Sequence, residues 1–351
     1  MTNPLRILHA ISSDRFAGVE QFVRRLAIRQ AQDGHRVTVL GGAAEHMRAA
    51  LAEVGVSWTA TSSTGAVLGA VRTRLPTSDV VNTHMTEADI ATVAARAISR
   101  SRVPIVATRH FAQVRGSRGP DLVYRVAERR IDAEISISRA VADRIGVPST
   151  MIHPGVEPGV LGDPAARRRT VLVAQRLQPE KHTEVAVRAF VASGIWQQDW
   201  SLEIAGTGQD HASLVSLARE LEVAEHVRFL GFRSDLPSLM AHAGILFASS
   251  PFEHFGLTVL ESMAAGLPVV AAAAGGHVEM LRGLDDRALF PPHDFEAAAA
   301  RLRSLSEDVQ GRAALGRAEH SRQIQEFSLR RQADATEAVY RHAIRRAEGR
   351  G

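Results

Sequence analysis

The segment Ser249-Ser-Pro-Phe-Glu-His-Phe-Gly-Leu-Thr-Val-Leu-Glu261 concentrates residues able to do chemistry. An apolar strand ending near Ala248 feeds a loop that carries Glu253 and His254, and Gly256 then opens a helix. The first N–H groups of a helix have no intrahelical acceptor, so those at Gly256, Leu257 and Thr258 suit phosphate oxygens. Glu261, five residues into the helix, can accept hydrogen bonds from ligand hydroxyls beside the same turn. The alternative is a polar loop followed by an amphipathic helix with Glu261 in solvent.

A second cluster is cationic. Of the 42 basic residues 41 are Arg, and the single Lys, Lys181, lies in Arg176-Leu-Gln-Pro-Glu-Lys181 after an apolar strand. Arg176 offers a planar fork and Lys181 a mobile point charge, which together can clamp a diphosphate. Loop charges are also commonly just solvated. In the first half, Ala17-Gly18 sits between a strand and a helix, where a small residue admits a phosphate or sugar to the backbone. His110 follows a strand in Ala107-Thr-Arg-His110, and His84 holds a comparable place after Val80-Val-Asn-Thr. Each can hydrogen-bond a substrate oxygen or tie loops together. Arg109 is a further anion-binding candidate.

Positioning these residues takes strands alternating with helices. Short apolar runs at residues 5–11, 37–40, 56–58, 80–82, 105–107 and 133–137 alternate with helical patterns such as 20–33 and 87–100. The pattern restarts with strands at 171–174, 202–205, 227–229, 245–248 and 269–271. Such alternation predicts parallel sheets covered on both faces. The expected division is 1–162, 163–326 and a terminal helix at 327–351 that returns to the first domain. The boundary rests on Pro, Gly, Asp and three successive Arg within 158–169.

With 351 residues and no cysteine, the chain excludes disulfides, thiol nucleophiles and cysteine-ligated metals. Phosphate-loop, Gly-x-Ser-x-Gly and His-Glu-x-x-His patterns are absent, as is Asp-x-Asp. Residues 1–165 carry 20 basic and 15 acidic side chains, a net of +5, whereas 166–300 carry 11 and 16, a net of −5. The basic half suits an anionic partner, whether a small molecule, a nucleic acid or a membrane headgroup. Its charges are dispersed and no nucleic-acid recognition module is present, so no nucleic-acid partner is expected. No apolar run is long enough to span a bilayer and the first residues do not form a leader, which points to the cytoplasm. Peripheral membrane contact is open through the helix at 20–33, where Arg24, Arg25 and Arg29 accompany Phe22, Val23 and Leu26. Packing of that apolar face on the sheet is the expected outcome.

Together these segments resemble retaining glycosyltransferase family 4, of GT-B architecture. Glu253 and Glu261 with seven residues between them carry the resemblance, with Arg176-Leu-Gln-Pro-Glu-Lys181 upstream. So do Ala205-Gly-Thr-Gly208, Val227-Arg-Phe-Leu-Gly231, Gly266-Leu-Pro-Val-Val270, Gly275-Gly-His-Val-Glu279, Gly34-His-Arg-Val-Thr-Val39 and Thr108-Arg-His110. The resemblance implies two Rossmann-like domains facing a cleft, with a C-terminal crossover helix. It also implies transfer of a sugar, with retention, from a nucleoside diphosphate donor, UDP favoured and GDP second, to a hydroxyl acceptor. The donor is a co-substrate; no tightly bound cofactor or metal is implied.

By the same resemblance Arg176 and Lys181 neutralise the diphosphate, helped by groups at His254, Phe255, Gly256, Leu257 and Thr258. Glu261 holds the ribose, Glu253 meets the sugar, and Gly231, Phe232 and Arg233 meet the base. His110 approaches sugar hydroxyls, and Gly18 the phosphates. Ala17-Gly18 replaces the family's usual glycine pair, and His153-Pro-Gly-Val-Glu157 its Asn-Gly-Val-Asp. The competing class is a non-catalytic carbohydrate- or nucleotide-binding protein of the same fold. Acceptor, linkage and oligomeric state are not encoded legibly.

Overall fold

The structure, a computed structural model, describes residues 3–115, 121–159 and 161–349. The chain forms two compact units, Met1–Gly155 with Leu329–Gly351, and Val156–Ser328.

The first unit holds seven parallel strands: β1 (Arg6–Ile11), β2 (Arg36–Leu40), β3 (Ser57–Thr59), β4 (Val80–His84), β5 (Ile105–Arg109), β6 (Ala133–Ser136) and β7 (Thr150–Met151). Their order is β3-β2-β1-β4-β5-β6-β7. Between them run α1 (Gly18–Gln32), α2 (Ala44–Ala52), α3 (Thr64–Arg74), α4 (Thr86–Ile98), α5 (Asp121–Glu128) and α6 (Arg139–Ala142). Period-two alternation sorts the central strands. Leu8, Ala10 and Val81 pack with Val67 and Val71 of α3 and with Ala88, Ala91 and Ala95 of α4. On the other strand parity stand His9, Asn82, His84 and Thr108, with His110 just past β5, an unusually polar set for a buried sheet. The Ser63 side chain caps helix α3 by accepting from the Ala66 N–H at 3.3 Å.

The second unit has six parallel strands, β8 (Thr170–Ala174), β9 (Ser201–Ala205), β10 (Val227–Gly231), β11 (Ile245–Ala248), β12 (Val269–Ala272) and β13 (Leu289–Phe290), ordered β10-β9-β8-β11-β12-β13. Its helices are α7 (Thr183–Ser193), α8 (His211–Glu220), α9 (Leu236–His242), α10 (Leu257–Ala264), α11 (Gly276–Leu281), α12 (Phe295–Glu307) and α13 (Val309–Glu326). The last helix, α14 (Leu329–Glu348), belongs to the first unit, where it buries Ala333, Thr336 and Tyr340.

The expected domain division needs correction. Residues 156–159 belong to the second unit rather than the first, because Val156 N–H donates to the Phe327 carbonyl at 3.2 Å and Gly159 N–H to that of Ala264 at 3.1 Å. The return to the first unit accordingly starts at Leu329 rather than residue 327. The apolar face of α1 packs inward as expected: Phe22, Val23 and Leu26 are buried, so that helix offers no such face to a membrane. Among the described residues no helix is long and apolar enough to cross a bilayer.

Candidate active site

In each sheet the strand order reverses between neighbours far apart in sequence, β1 beside β4 and β8 beside β11. Open α/β sheets bind ligands outside the carboxyl ends of the strands at such reversals. In the second unit this topology brings the loop after β8 against the loop after β11. Lys181 Nζ lies 2.6 Å from Glu253 Oε2, although 72 residues separate them, and each side chain is 18% exposed.

The pair is held from behind. Gln175 Nε2 faces the Lys181 carbonyl at 3.2 Å, Thr183 Oγ1 at 2.9 Å and Ser249 Oγ at 3.0 Å. Ser249 Oγ donates to the same Lys181 carbonyl at 2.8 Å. Burial pushes the Glu253 carboxyl up, but Lys181, His277 and His254 outweigh it and hold the group below its ordinary value. Glu253 is therefore an anion at neutral pH, with Lys181 as its counter-ion.

Two glycines make the loop after β11 possible. Gly275 has φ +49°, and a Cβ there would meet the Glu253 carbonyl oxygen at 1.7 Å, so only a bare backbone fits against that loop. Gly256 has φ +100° and caps α10; its Cβ would come within 2.8 Å of the buried His277 ring. His277 Nδ1 is 3.0 Å from the Ala272 carbonyl, which fixes that nitrogen as the donor, and burial lowers its pKa. The start of α10 thus lies beside the Lys181–Glu253 loop, with Leu257, Thr258 and Glu261 on its first turns. Phe255 is buried and packs on Phe327 with centroids 6.1 Å apart, while His254 meets Phe252 edge-on.

Other expected residues are placed differently. Arg176 is 66% exposed and bonds Glu180 Oε1 at 3.1 Å, so it does not join Lys181 in a pair. Gly231 ends β10 and Phe232 and Arg233 follow it, on the edge strand away from the β8–β11 reversal. Phe232 is 72% exposed, and Arg233 is turned onto Asp235 in two hydrogen bonds of 2.7 and 2.6 Å.

In the first unit Gly18 starts α1, preceded by Ala17, whose N–H donates to Glu20 Oε2 at 2.9 Å. His110 is 7% exposed, meets Phe22 edge-on at 4.8 Å, and lies 3.0 Å from His84 Nδ1 through its Nε2. Arg109, on the opposite parity, is buried near Glu134 at 3.7 Å and donates to the Gln113 carbonyl at 2.6 Å. It belongs to a buried ion cluster with Arg115, Asp89 and Glu134 rather than to an open anion site. Gln175, Ser249 and His277, which hold the Lys181–Glu253 loops, carry no sequence signal beyond their nearness to the motifs.

The chain matches the family described as "Glycosyl transferases group 1" over residues 163–322 and "Glycosyltransferase Family 4" over 16–159. It is 31% identical over 310 residues to the D-inositol 3-phosphate glycosyltransferase of Salinispora arenicola, covering 82% of this chain and 66% of that relative. It is 30% identical over 265 residues to the glycogen synthase of Mycobacterium tuberculosis, covering 69% of this chain and 64% of that protein. The chain thus spans slightly less than two thirds of the length of these relatives. Its fold matches that of Anabaena HepE in complex with UDP and glucose, with TM-score 0.80 and 21% identity over 95% of this chain and 99% of that one. Two parallel-sheet Rossmann-like units in this order, and matches to both halves, place the chain in glycosyltransferase family 4, with GT-B architecture.

Proposed function

We propose that this protein is a retaining glycosyltransferase that transfers a sugar from a nucleoside diphosphate donor to a hydroxyl of a small-molecule, glycan or lipid-linked acceptor. The observation that carries this reading is the Lys181–Glu253 pair at the β8–β11 reversal, beside the start of α10. As the bond from sugar C1 to the diphosphate oxygen breaks, negative charge grows on that oxygen. Lys181 and the first N–H groups of α10 are more strongly attracted to that developing charge than to the intact donor, which lowers the barrier. The acceptor oxygen forms the new bond to C1 on the same face, and its proton passes to the departing diphosphate.

Glu253 keeps Lys181 in place before the donor arrives and offers its second oxygen to a sugar hydroxyl. Glu261 takes the ribose hydroxyls, and His110 of the first unit hydrogen-bonds the transferred sugar. Arg176 reaches the diphosphate by leaving Glu180, an exposed partner easily exchanged. Phe232 and Arg233 supply stacking and charge for the base. A UDP-sugar is the favoured donor, in keeping with the UDP bound by HepE, and a GDP-sugar the second. The reaction as proposed needs no metal.

A panel of nucleotide sugars, with product detection in the presence and absence of chelator, tests this. Turnover of one donor, unaffected by chelator and giving the retained anomer, is expected. Absence of binding and hydrolysis across the panel would remove the enzyme reading in favour of a carbohydrate- or nucleotide-binding role.

A further inference from the structure

Behind His110 runs a chain of imidazoles that the transfer chemistry leaves unused. His110 Nε2 lies 3.0 Å from His84 Nδ1, His84 Nε2 lies 3.1 Å from His9 Nδ1, and His9 Nε2 lies 2.8 Å from Gln30 Oε1. All four side chains are buried. Three neighbouring strands, β1, β4 and β5, bring the rings together, with α1 supplying the terminal amide.

A neutral imidazole has one N–H and one lone pair, so a chain of them has a direction. The polar groups at its far end set that direction. Asn82 Nδ2 donates to the Val106 carbonyl at 2.9 Å, which turns Asn82 Oδ1 toward the Tyr340 hydroxyl at 2.7 Å. Tyr340 gives its proton to Asn82, so its oxygen keeps only lone pairs toward the Gln30 side. The Gln30 amide nitrogen, which makes no hydrogen bond, suits that side, and its carbonyl oxygen faces His9 Nε2 at 2.8 Å. A carbonyl oxygen only accepts, so His9 carries its proton on Nε2, and the same assignment propagates outward through His84 to His110. Burial drives the His9 pKa down to about 4 and that of His84 well below its usual value, so both links remain neutral. Reversing the chain requires three tautomer changes and an amide flip, all in a site without solvent.

We propose that His84, backed by His9 and Gln30, is a positioning residue that fixes the ring orientation and tautomer of His110, with Nε2–H committed inward and Nδ1 carrying the lone pair. This rests on the proposed contact of His110 with a sugar and adds its polarity: the ligand group at Nδ1 must be a hydrogen-bond donor such as a hydroxyl, not a carbonyl or phosphate oxygen. Setting one ring nitrogen through a bond to the other is the general way a protein orients a histidine.

The test is long-range 15N–1H spectroscopy of the full chain labelled with 15N-histidine, with His110 assigned by the signal lost in His110→Ala. The expected spectrum shows a pyrrole-type Nε2 and a pyridine-type Nδ1 at His9, His84 and His110 alike. His84→Phe, which preserves ring volume, should convert His110 to a mixture of tautomers, and so should Gln30→Leu, two links away. Gln30→Leu serves if His84→Phe fails to fold. A pyrrole-type Nδ1 at His110 in the unaltered protein, or a His110 tautomer indifferent to the folded variants, would overturn the proposal. The part of His110 in transfer is read separately: unimpaired donor turnover by His110→Ala removes that role whatever the tautomer shows.

Discussion

Lys181 Nζ and Glu253 Oε2 stand 2.6 Å apart, joining the only lysine of the chain to a carboxylate in the loop before α10. Neither is in bulk solvent, so removing one leaves the other partly buried and uncompensated. Lys181→Ala should lower kcat/KM for the nucleotide sugar by about 10²–10³-fold, the usual loss when one group stabilising transition-state charge is removed. The circular dichroism spectrum should stay unchanged. Steady-state kinetics within threefold of the unaltered protein would rule out the proposed role.

Gly275 and Gly69 should respond in opposite directions to the same substitution. At Gly275 an added methyl meets the Glu253 carbonyl oxygen and the backbone is left-handed, so Gly275→Ala should destabilise the fold and reduce donor binding. At Gly69, inside α3, nothing lies within 4 Å of the added carbon, and Gly69→Ala should stabilise by about 0.5–1 kcal/mol. Denaturation midpoints decide both.

Stability should fall as pH drops from about 6.5 to about 4. His9 has a folded pKa of about 4 against an ordinary 6.5, so below 6.5 the unfolded chain takes up a proton that the folded chain refuses. The contribution is complete above 6.5 and is lost progressively down to about 4. It amounts to about 3 kcal/mol for this one group, and His84 acts in the same direction. Urea denaturation at stepped pH measures the slope, which His9→Gln should reduce.

Glu319 predicts the opposite sign. It is fully buried in α13, its Oε1 accepts from the Val269 N–H at 3.2 Å, Oε2 has no hydrogen-bond partner, and burial raises its pKa well above the ordinary value. The unfolded chain releases this proton above about 4.5 while the folded chain keeps it, so stability declines as pH rises past that point. Glu319→Gln retains an acceptor for Val269 and removes the titration. It should stabilise the protein by about 1–3 kcal/mol at pH 8, and an equal or lower denaturation midpoint would contradict the assignment.

Both sheets were legible as patterns because buried parallel strands are short apolar runs and the covering helices repeat with a different period. The Glu253–Glu261 segment and the Arg176–Lys181 segment were legible too, since strand-to-helix turns expose donors wherever they occur. Five residues of sequence distance do not say which way the Arg176 and Lys181 side chains turn. Here Arg176 goes outward to Glu180 and Lys181 goes inward to Glu253. The first-domain boundary was misplaced because a Pro-, Gly- and Arg-rich stretch marks irregular chain, not the unit on which it packs.

The kinds of groups available for chemistry, and the two α/β patterns that carry them, are properties of local order along the chain. Which groups meet is not. Lys181 and Glu253 touch because β8 and β11 are sheet neighbours, and His9, His84 and His110 align because β1, β4 and β5 are. Strand order is chosen by how the helices cover the sheet and how the connections cross it, a global packing outcome that no window of sequence contains.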